Sequence, residues 1–245
     1  MIGKIGTNQL QEAIINLLND PVRNGSIIGF IKNNPISSLL SEGNSLLVQG
    51  TSDREWIYIS SNDKEEVQRL LLKLESDDCC FASLEDWMIL EVTRDKDVEW
   101  QLTTIRYFLP DEMEIHNNKI NIASLNTVDA EYIIENSDYK QFLTVEYLKQ
   151  RIKESFTAAI KEKNKLIAWA LTHDDGAIGA LYVLDRFRNS GYASEIIRNL
   201  SYKIRETGSI PIAQIEEKNI PAAKLFEKLG FVKDRRVTWL KLFHR

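Results

Sequence analysis

An α+β fold in two parts, the second built on a mixed sheet, is what the sequence predicts. Three observations carry it. Strand-like runs alternate with amphipathic helical patterns from Ile120 to Phe243. The first hundred residues hold helices and strands of their own. Between them, Pro110-Asp111-Glu112 through His116-Asn117-Asn118-Lys119 is charged, carries a proline and shows no hydrophobic period, the composition of a linker. The expected division is a smaller domain over residues 1–115 and a second over residues 118–245.

In the first half, Leu10, Ile14, Leu17 and Leu18 recur at helical spacing, as do Val67, Leu70, Leu71 and Leu74. Ser45 to Val48 and Trp56 to Ile59 read as strands separated by the turn-rich Gly50-Thr51-Ser52-Asp53. Trp87 to Val92 and Glu99 to Phe108 read as further strands. After the linker, Ile120 to Leu125 reads as a strand and Thr127 as the N-cap of a helix with Asp129 and Glu131 in its first turn, where the helix dipole favours negative charge. A helix from Val145 to Ile152 and strands Phe156 to Ile160 and Lys165 to Leu171 follow.

Asp175-Gly176 is a dipeptide of tight hairpins, which often need positive φ at both central residues, so Ala177 to Leu184 should pair antiparallel with the preceding strand. Ala193, Ile196, Ile197, Leu200 and Ile204 mark one face of a helix ended by Gly208, and Ile210 to Ile215 reads as a strand. The last helix has Asn219 as N-cap, Pro221 in the first turn and Gly230 at its end; Val237 to Phe243 closes as an alternating strand.

Composition excludes several classes. The chain has 245 residues, 43% hydrophobic and 27% charged, an ordinary globular balance. A net charge of -5 argues against a broad nucleic-acid surface, which needs clustered Lys and Arg. No run approaches the roughly 20 apolar residues of a membrane span, and the first twenty residues lack the apolar core of an export signal. Cys79 and Cys80 are the only cysteines and are adjacent, so no disulfide framework is expected and a cytoplasmic setting is. Three scattered histidines without Cys/His spacing give no metal site.

The chemistry sits at one turn. A strand that enters a short polar turn opening a helix makes an anion site, because the first helical N–H groups lack partners and the dipole is positive there. Here that turn is Arg188-Asn189-Ser190-Gly191-Tyr192-Ala193. Arg188 adds a permanent charge, Gly191 lets backbone approach a ligand, and Asn189 and Ser190 carry side-chain donors. A strand-to-helix turn also needs glycine for structural reasons alone.

The order of motifs around this turn resembles the GNAT superfamily of N-acetyltransferases, within it the branch related to glycine N-acyltransferases. The superfamily's Arg/Gln-x-x-Gly-x-Gly/Ala motif is matched by Arg188 to Ala193. Its second signature, an Asn opening a helix that ends in Leu-Gly-Phe, is matched from Asn219 to Phe231. The resemblance covers roughly Asn118 to Arg245 and implies a GNAT-like acyltransferase domain behind a smaller α+β domain. It implies acetyl-CoA, or another acyl-CoA, as co-substrate. Leu181, Tyr182, Val183 and Leu184 would lie along the pantetheine arm, Arg188 to Ser194 would hold the pyrophosphate, and Asn219 and Phe226 would contact the coenzyme. A backbone N–H at a strand bulge near Tyr182 or Val183 would serve the oxyanion.

Two departures bear on mechanism. The position that often holds a tyrosine general acid is Phe226, and the position where glycine N-acyltransferases place a glutamate base is Ala177. Many members also have Gly where Asn189 stands. An amine must lose a proton to attack a thioester, so a base is still required. Glu216 and Glu217, after the strand that precedes Asn219, are one candidate pair, with a solvated strand end as the plainer reading. His173 with Asp174 and Asp175 is the other, with a polar hairpin turn as the plainer reading; His116 and His244 fall in linker and tail. The cluster Glu85-Asp86-Trp87 is a weaker place to meet an amine. The implied function is transfer of an acetyl or short acyl group to a primary amine of a small molecule, the alternative being a coenzyme A binding protein whose first domain recognises a partner.

Overall fold

The computed structural model describes residues 7–75, 77–115, 120–137, 140 and 143–243. Packing divides the chain into two units, Met1–Arg106 together with Asp234–Arg245, and Tyr107–Lys233.

The first unit runs α1 (Thr7–Leu17), α2 (Gly25–Asn33), β1 (Ile36–Glu42), β2 (Ser45–Thr51), β3 (Glu55–Ser60), α3 (Lys64–Leu71), β4 (Cys80–Glu85), α4 (Asp86–Val92) and β5 (Val98–Phe108). β1, β2 and β3 form an antiparallel meander, and β4 lies parallel to β3 with Ile57 opposite Phe81. The parallel step requires a crossover, which α3 supplies. Asp63 starts that helix by accepting from the N–H groups of Glu65 and Glu66 at 2.8 and 3.0 Å. Successive strand residues point to opposite faces and both faces are covered. Leu47, Ile57 and Phe81 pack with Val67, Leu70 and Met88 of α3 and α4. Val48 and Tyr58 pack with Ile27, Phe30 and Ile31 of α2.

The segment from Trp87 to Val92, expected as a strand, is helical. Met88, Glu91 and Val92 are buried while Leu90 is exposed, a helical face that the aromatic and β-branched residues of the run obscure.

The second unit holds α5 (Ala130–Glu135), α6 (Val145–Glu154), β6 (Thr157–Glu162), β7 (Lys165–Thr172), β8 (Ile178–Val183), α7 (Tyr192–Glu206), β9 (Ile212–Ile215) and α8 (Ile220–Lys228). Its strand order is β9-β8-β7-β6, antiparallel except for β8 with β9. Leu166 to Thr172 are all buried, as in a strand covered on both faces. Trp169 and Leu171 pack with Ile133 of α5 and Leu148 of α6. The buried face of α7 is Ile196, Ile197, Leu200 and Ile204, with Gly208 just beyond its end at φ +68°.

Three local expectations change. Ile120 to Leu125 is not a strand: Ala123 makes a single antiparallel bridge with Ala159. Thr127 is not a cap: Asn126 caps a 3-10 turn over Thr127–Asp129 in a capping box with Asp129, which is itself the N-cap of α5. In the loop between β7 and β8 only Gly176 has positive φ; the N–H of Gly176 donates to His173 O and that of His173 to Ala177 O, so a three-residue loop with a glycine bulge replaces the expected two-residue turn.

The last strand, β10 (Val232–Leu242), was expected in the second domain, but from Asp234 onward it packs with the first unit. There the order is β1-β2-β3-β4-β10-β5, with β10 antiparallel to β4. Arg106, almost fully buried, donates to Asp234 at 2.6 Å through one terminal nitrogen and to the carbonyl of Arg23 through the other. Packing also carries the first boundary to residues 106 and 107, before the polar stretch read as a linker, of which residues 116–119 lie outside the described residues.

Candidate active site

β8 and β9 set the geometry. They run parallel, and their pairing is recorded at Ile178 opposite Ala213. On its other edge β8 stays with β7, but not in even register: Gly179 faces Leu171 and Tyr182 faces Trp169, three steps against two. The extra residue is a β-bulge, and Ala180 takes the left-handed φ of +49° that lets the strand absorb it. The bulge therefore lies at Ala180 and Leu181, slightly before the Tyr182–Val183 position expected. It stands immediately past the point where β8 and β9 are paired.

β8 then feeds the anion turn. Leu184 leads through a 3-10 turn (Asp185–Phe187) to Arg188, and α7 opens at Tyr192. Asn189 adopts φ +62°. Glycine is the easy occupant of that conformation and asparagine is among the residues that best tolerate it, so the departure from glycine at this position keeps the loop's path. Gly191, at φ +83°, is the N-cap and has no side chain with which to cap the N–H groups of the first turn. A Cβ built on Gly191 meets nothing within 4 Å. The turn thus offers uncapped donors, open space and a helix of fifteen residues behind it, features that suit an anion.

Arg188 is half exposed and lies at the mouth of the turn. It pairs with Asp185 at 2.8 Å, donates through Nε to the carbonyl of Val183 at 3.2 Å and sits 5.7 Å over the ring of Tyr182. Tyr182 in turn stacks on buried Trp169 at 5.1 Å. Ser190, Tyr192 and Ala193 complete the turn, and Ser194 enters the helix. Glu195, the one acid of the first turn, is countered by Arg198 at 2.8 Å.

Beyond β9, Asn219 caps α8, its side-chain oxygen accepting from the N–H of Ala222 at 3.2 Å. Phe226 is buried and meets Phe231 edge-on at 4.9 Å. Glu216 follows β9 directly, and its carboxylate is held by Lys218 at 2.8 Å; Glu217 is exposed.

His173 is a partner in a cluster rather than an isolated turn residue. Its Nδ1 lies 3.0 Å from the hydroxyl of Tyr147 on α6, and that hydroxyl donates to Asp174 at 3.3 Å. Asp175 is buried and turned elsewhere, accepting from the N–H of Ala177 at 3.0 Å and from Gln214 of β9 at 2.6 Å, and so ties the start of β8 to β9. Tyr147 was read from the sequence only as part of a helix. A signal existed at Gly179, since a glycine inside a strand pattern marks a bulge or a close approach. His116 and His244 lie outside the described residues.

The acidic-aromatic cluster of the first unit is already satisfied. Glu85 accepts from Arg23 at 2.6 Å, Arg235 at 2.8 Å and the Trp87 indole at 3.2 Å. Burial pushes the Glu85 carboxyl up, and the two guanidinium groups more than reverse it, holding it below the usual carboxylate range. A cavity of about 340 Å³ in the same unit is lined by Arg54, Asp78, Cys79, Cys80 and Lys241, none of them part of the strand–loop–helix site. No helix among the described residues is long and apolar enough to cross a membrane.

Residues 158–240, which include β8, the anion turn and α8, match the family described as FR47-like protein. No curated protein matches the chain in sequence. Among solved structures, a Drosophila protein shares 14% identity with a TM-score of 0.80, over 98% of this chain and 97% of that one. A GCN5-related N-acetyltransferase from Kribbella flavida shares 11% identity with a TM-score of 0.56, over 91% of this chain and 95% of that one. A GCN5-related N-acetyltransferase-like protein from Streptococcus suis shares 13% identity with a TM-score of 0.54, over 97% and 100%. At these identities the likeness is one of architecture: the chain has a mixed α/β structure with the fold of GCN5-related, or GNAT, acetyltransferases.

Proposed function

We propose that the protein transfers an acetyl or short acyl group from acyl-coenzyme A to a primary amine of a small molecule. The observation that carries this reading is the passage of β8 from its pairing with β9, through the Ala180 bulge, into an open Gly191 turn at the head of α7. Acyl-CoA, when bound, supplies the activated thioester. The first-turn N–H groups of α7, with Arg188, Asn189 and Ser190, hold its pyrophosphate. Backbone groups of Leu181 to Leu184 run beside the pantetheine arm, the Asn219 amide reaches it from α8, and Phe226 forms part of an apolar wall. A backbone N–H of the bulge faces the carbonyl oxygen on which charge develops. The glycine N-acyltransferase-like branch is supported by motif order alone. Two cysteines that form no disulfide and an acidic net charge fit a cytoplasmic enzyme that acts on a small molecule rather than on nucleic acid.

The test is calorimetry with coenzyme A and acetyl-CoA, together with thiol release over a panel of primary amines. Binding to both ligands with release dependent on one amine class is the expected result. Absence of binding to either ligand would remove the reading.

A further inference from the structure

We propose that His173 is the base that takes the proton from the attacking amine, with Tyr147 and Asp174 as its positioning residues. The proposal rests on the acyl-transfer reading above and gives that reaction the group left missing by Ala177 and Phe226.

The tautomer follows from the hydrogen-bond arithmetic. The Tyr147 hydroxyl has one proton and two lone pairs. Its proton goes to Asp174 Oδ1 at 3.3 Å, and the backbone N–H of Asp174 donates back to the hydroxyl oxygen at 3.4 Å. With that proton on Asp174, the hydroxyl oxygen accepts from Nδ1 of His173 at 3.0 Å, which places the ring proton on Nδ1. Nε2 is then left with its lone pair. The rings of Tyr147 and His173 also stack, 6.2 Å apart and 19° from parallel, which fixes the plane of the imidazole.

Nε2 points at Gly179. A Cβ built there would overlap Nε2 and Cδ2 of His173, although the backbone at Gly179 has no positive φ to demand glycine. The small residue is required for the space the imidazole occupies. Gly179 is one residue past the Ile178–Ala213 pair and one before Ala180 of the bulge, so Nε2 stands over the strand where the thioester carbonyl is expected. Of the charged groups nearby, Asp174 lies on the Nδ1 side, Arg151 sits 6.0 Å from the Tyr147 ring, and Asp175 is directed to Gln214. Glu216, the rival from β9, has its carboxylate engaged by Lys218.

The step balances without a further reactant. The amine lone pair forms the C–N bond, the C–S bond breaks with its electron pair going to sulfur, and the proton on nitrogen passes to Nε2. That proton then leaves to the thiolate or to water. An imidazole nitrogen is the side-chain acceptor most often used for such work.

The experiment compares wild type, His173→Gln, Tyr147→Phe, Gly179→Ala and Glu216→Gln in kcat/KM against pH with the amine that wild type accepts, coenzyme A affinity being measured separately. His173→Gln should lose ~10²–10⁴-fold in kcat/KM and its acid limb, with coenzyme A affinity unchanged. Gly179→Ala should fall with it, and Tyr147→Phe should fall less while displacing the pH profile. His173→Ala should recover rate on addition of imidazole, which a structural role would not produce. Near-wild-type turnover by His173→Gln, above all beside a large loss in Glu216→Gln, overturns the proposal alone. Wild type that binds acetyl-CoA and acylates no amine overturns acyl transfer, and this proposal with it.

Discussion

The Arg188 guanidinium holds the Asp185 carboxylate at 2.8 Å, three residues back along the same turn, at the point where a pyrophosphate would arrive. The pair is exposed, so it contributes little to stability and can open when a stronger anion competes for the arginine. Arg188→Ala should therefore weaken coenzyme A binding by about 1.5–3 kcal/mol, the worth of a hydrogen bond to a charged group, and leave the melting temperature unchanged. Asp185→Asn should act oppositely, tightening binding at low salt with a gain that fades as salt is raised. Calorimetry at two ionic strengths measures both; equal affinities throughout would remove Arg188 from the site.

Gly191→Glu should abolish coenzyme A binding. The side chain would enter the open space over the helix N-terminus and set a carboxylate against the phosphates. It would also force a non-glycine residue to φ +83°, which costs about 1–2 kcal/mol. Gly191→Ala carries the backbone strain with neither charge nor bulk, so its affinity separates the two effects. Retained binding in the folded Glu variant would make the loop a structural turn only.

Phe226→Tyr should change the rate by no more than ~10-fold, less than the ~10²–10⁴-fold a positioned acid can supply. A thiol with a pKa of ~8.5 leaves tolerably as its anion, whereas an amine near ~10.4 is scarce as free base at pH 7. Burial against Phe231 also gives the new hydroxyl an apolar setting, so a stability loss of about 1–3 kcal/mol should accompany the change. A gain above ~100-fold would point instead to protonation of the leaving sulfur as the slow step.

Glu85 should make the stability of the first unit pH-dependent. Its folded pKa lies below the unfolded glutamate value of ~4.3, so the stabilisation is complete above that pH and is lost as pH falls through the folded value. Urea unfolding of Glu85→Gln should show a lowered midpoint at pH 7, and the gap from wild type should close in strong acid. A gap independent of pH would assign the loss to packing.

The two cysteines should differ in reactivity. Burial, followed by the adjacent Cys79, pushes the Cys80 thiol up to about 12. Alkylation at pH 8 followed by peptide mapping should label Cys79 first. Equal labelling would show that β4 opens readily.

Much of the second unit was legible because its punctuation is local. Asn219, Pro221 and Gly230 bracket α8, and Gly208 ends α7, each acting within a few residues of itself. The Gly191 turn that opens α7 was legible for the same reason. α4 was not, since Trp87, Ile89 and Val92 carry strand propensity while burial of Met88 and Val92 against α3 selects the helix. The His173 cluster depends on Tyr147, twenty-six residues away on another element, and no periodicity or spacing reports such a meeting. The bulge at Ala180 is likewise a property of two strands in register. Sequence showed the turn that opens α7, where backbone conformation dominates, and missed the cluster where side chains from distant segments converge.

The return of β10 into the first unit makes that unit discontinuous, with the second inserted between Arg106 and Asp234. Since β10 separates β4 from β5, the sheet of the first unit lacks an interior strand until the inserted unit has been synthesised. The inserted unit has no such wait, because every one of its strands is contiguous in sequence. During synthesis it can close first, and the segment before it must stay open, with β4 exposing an edge, until β10 arrives to fill it.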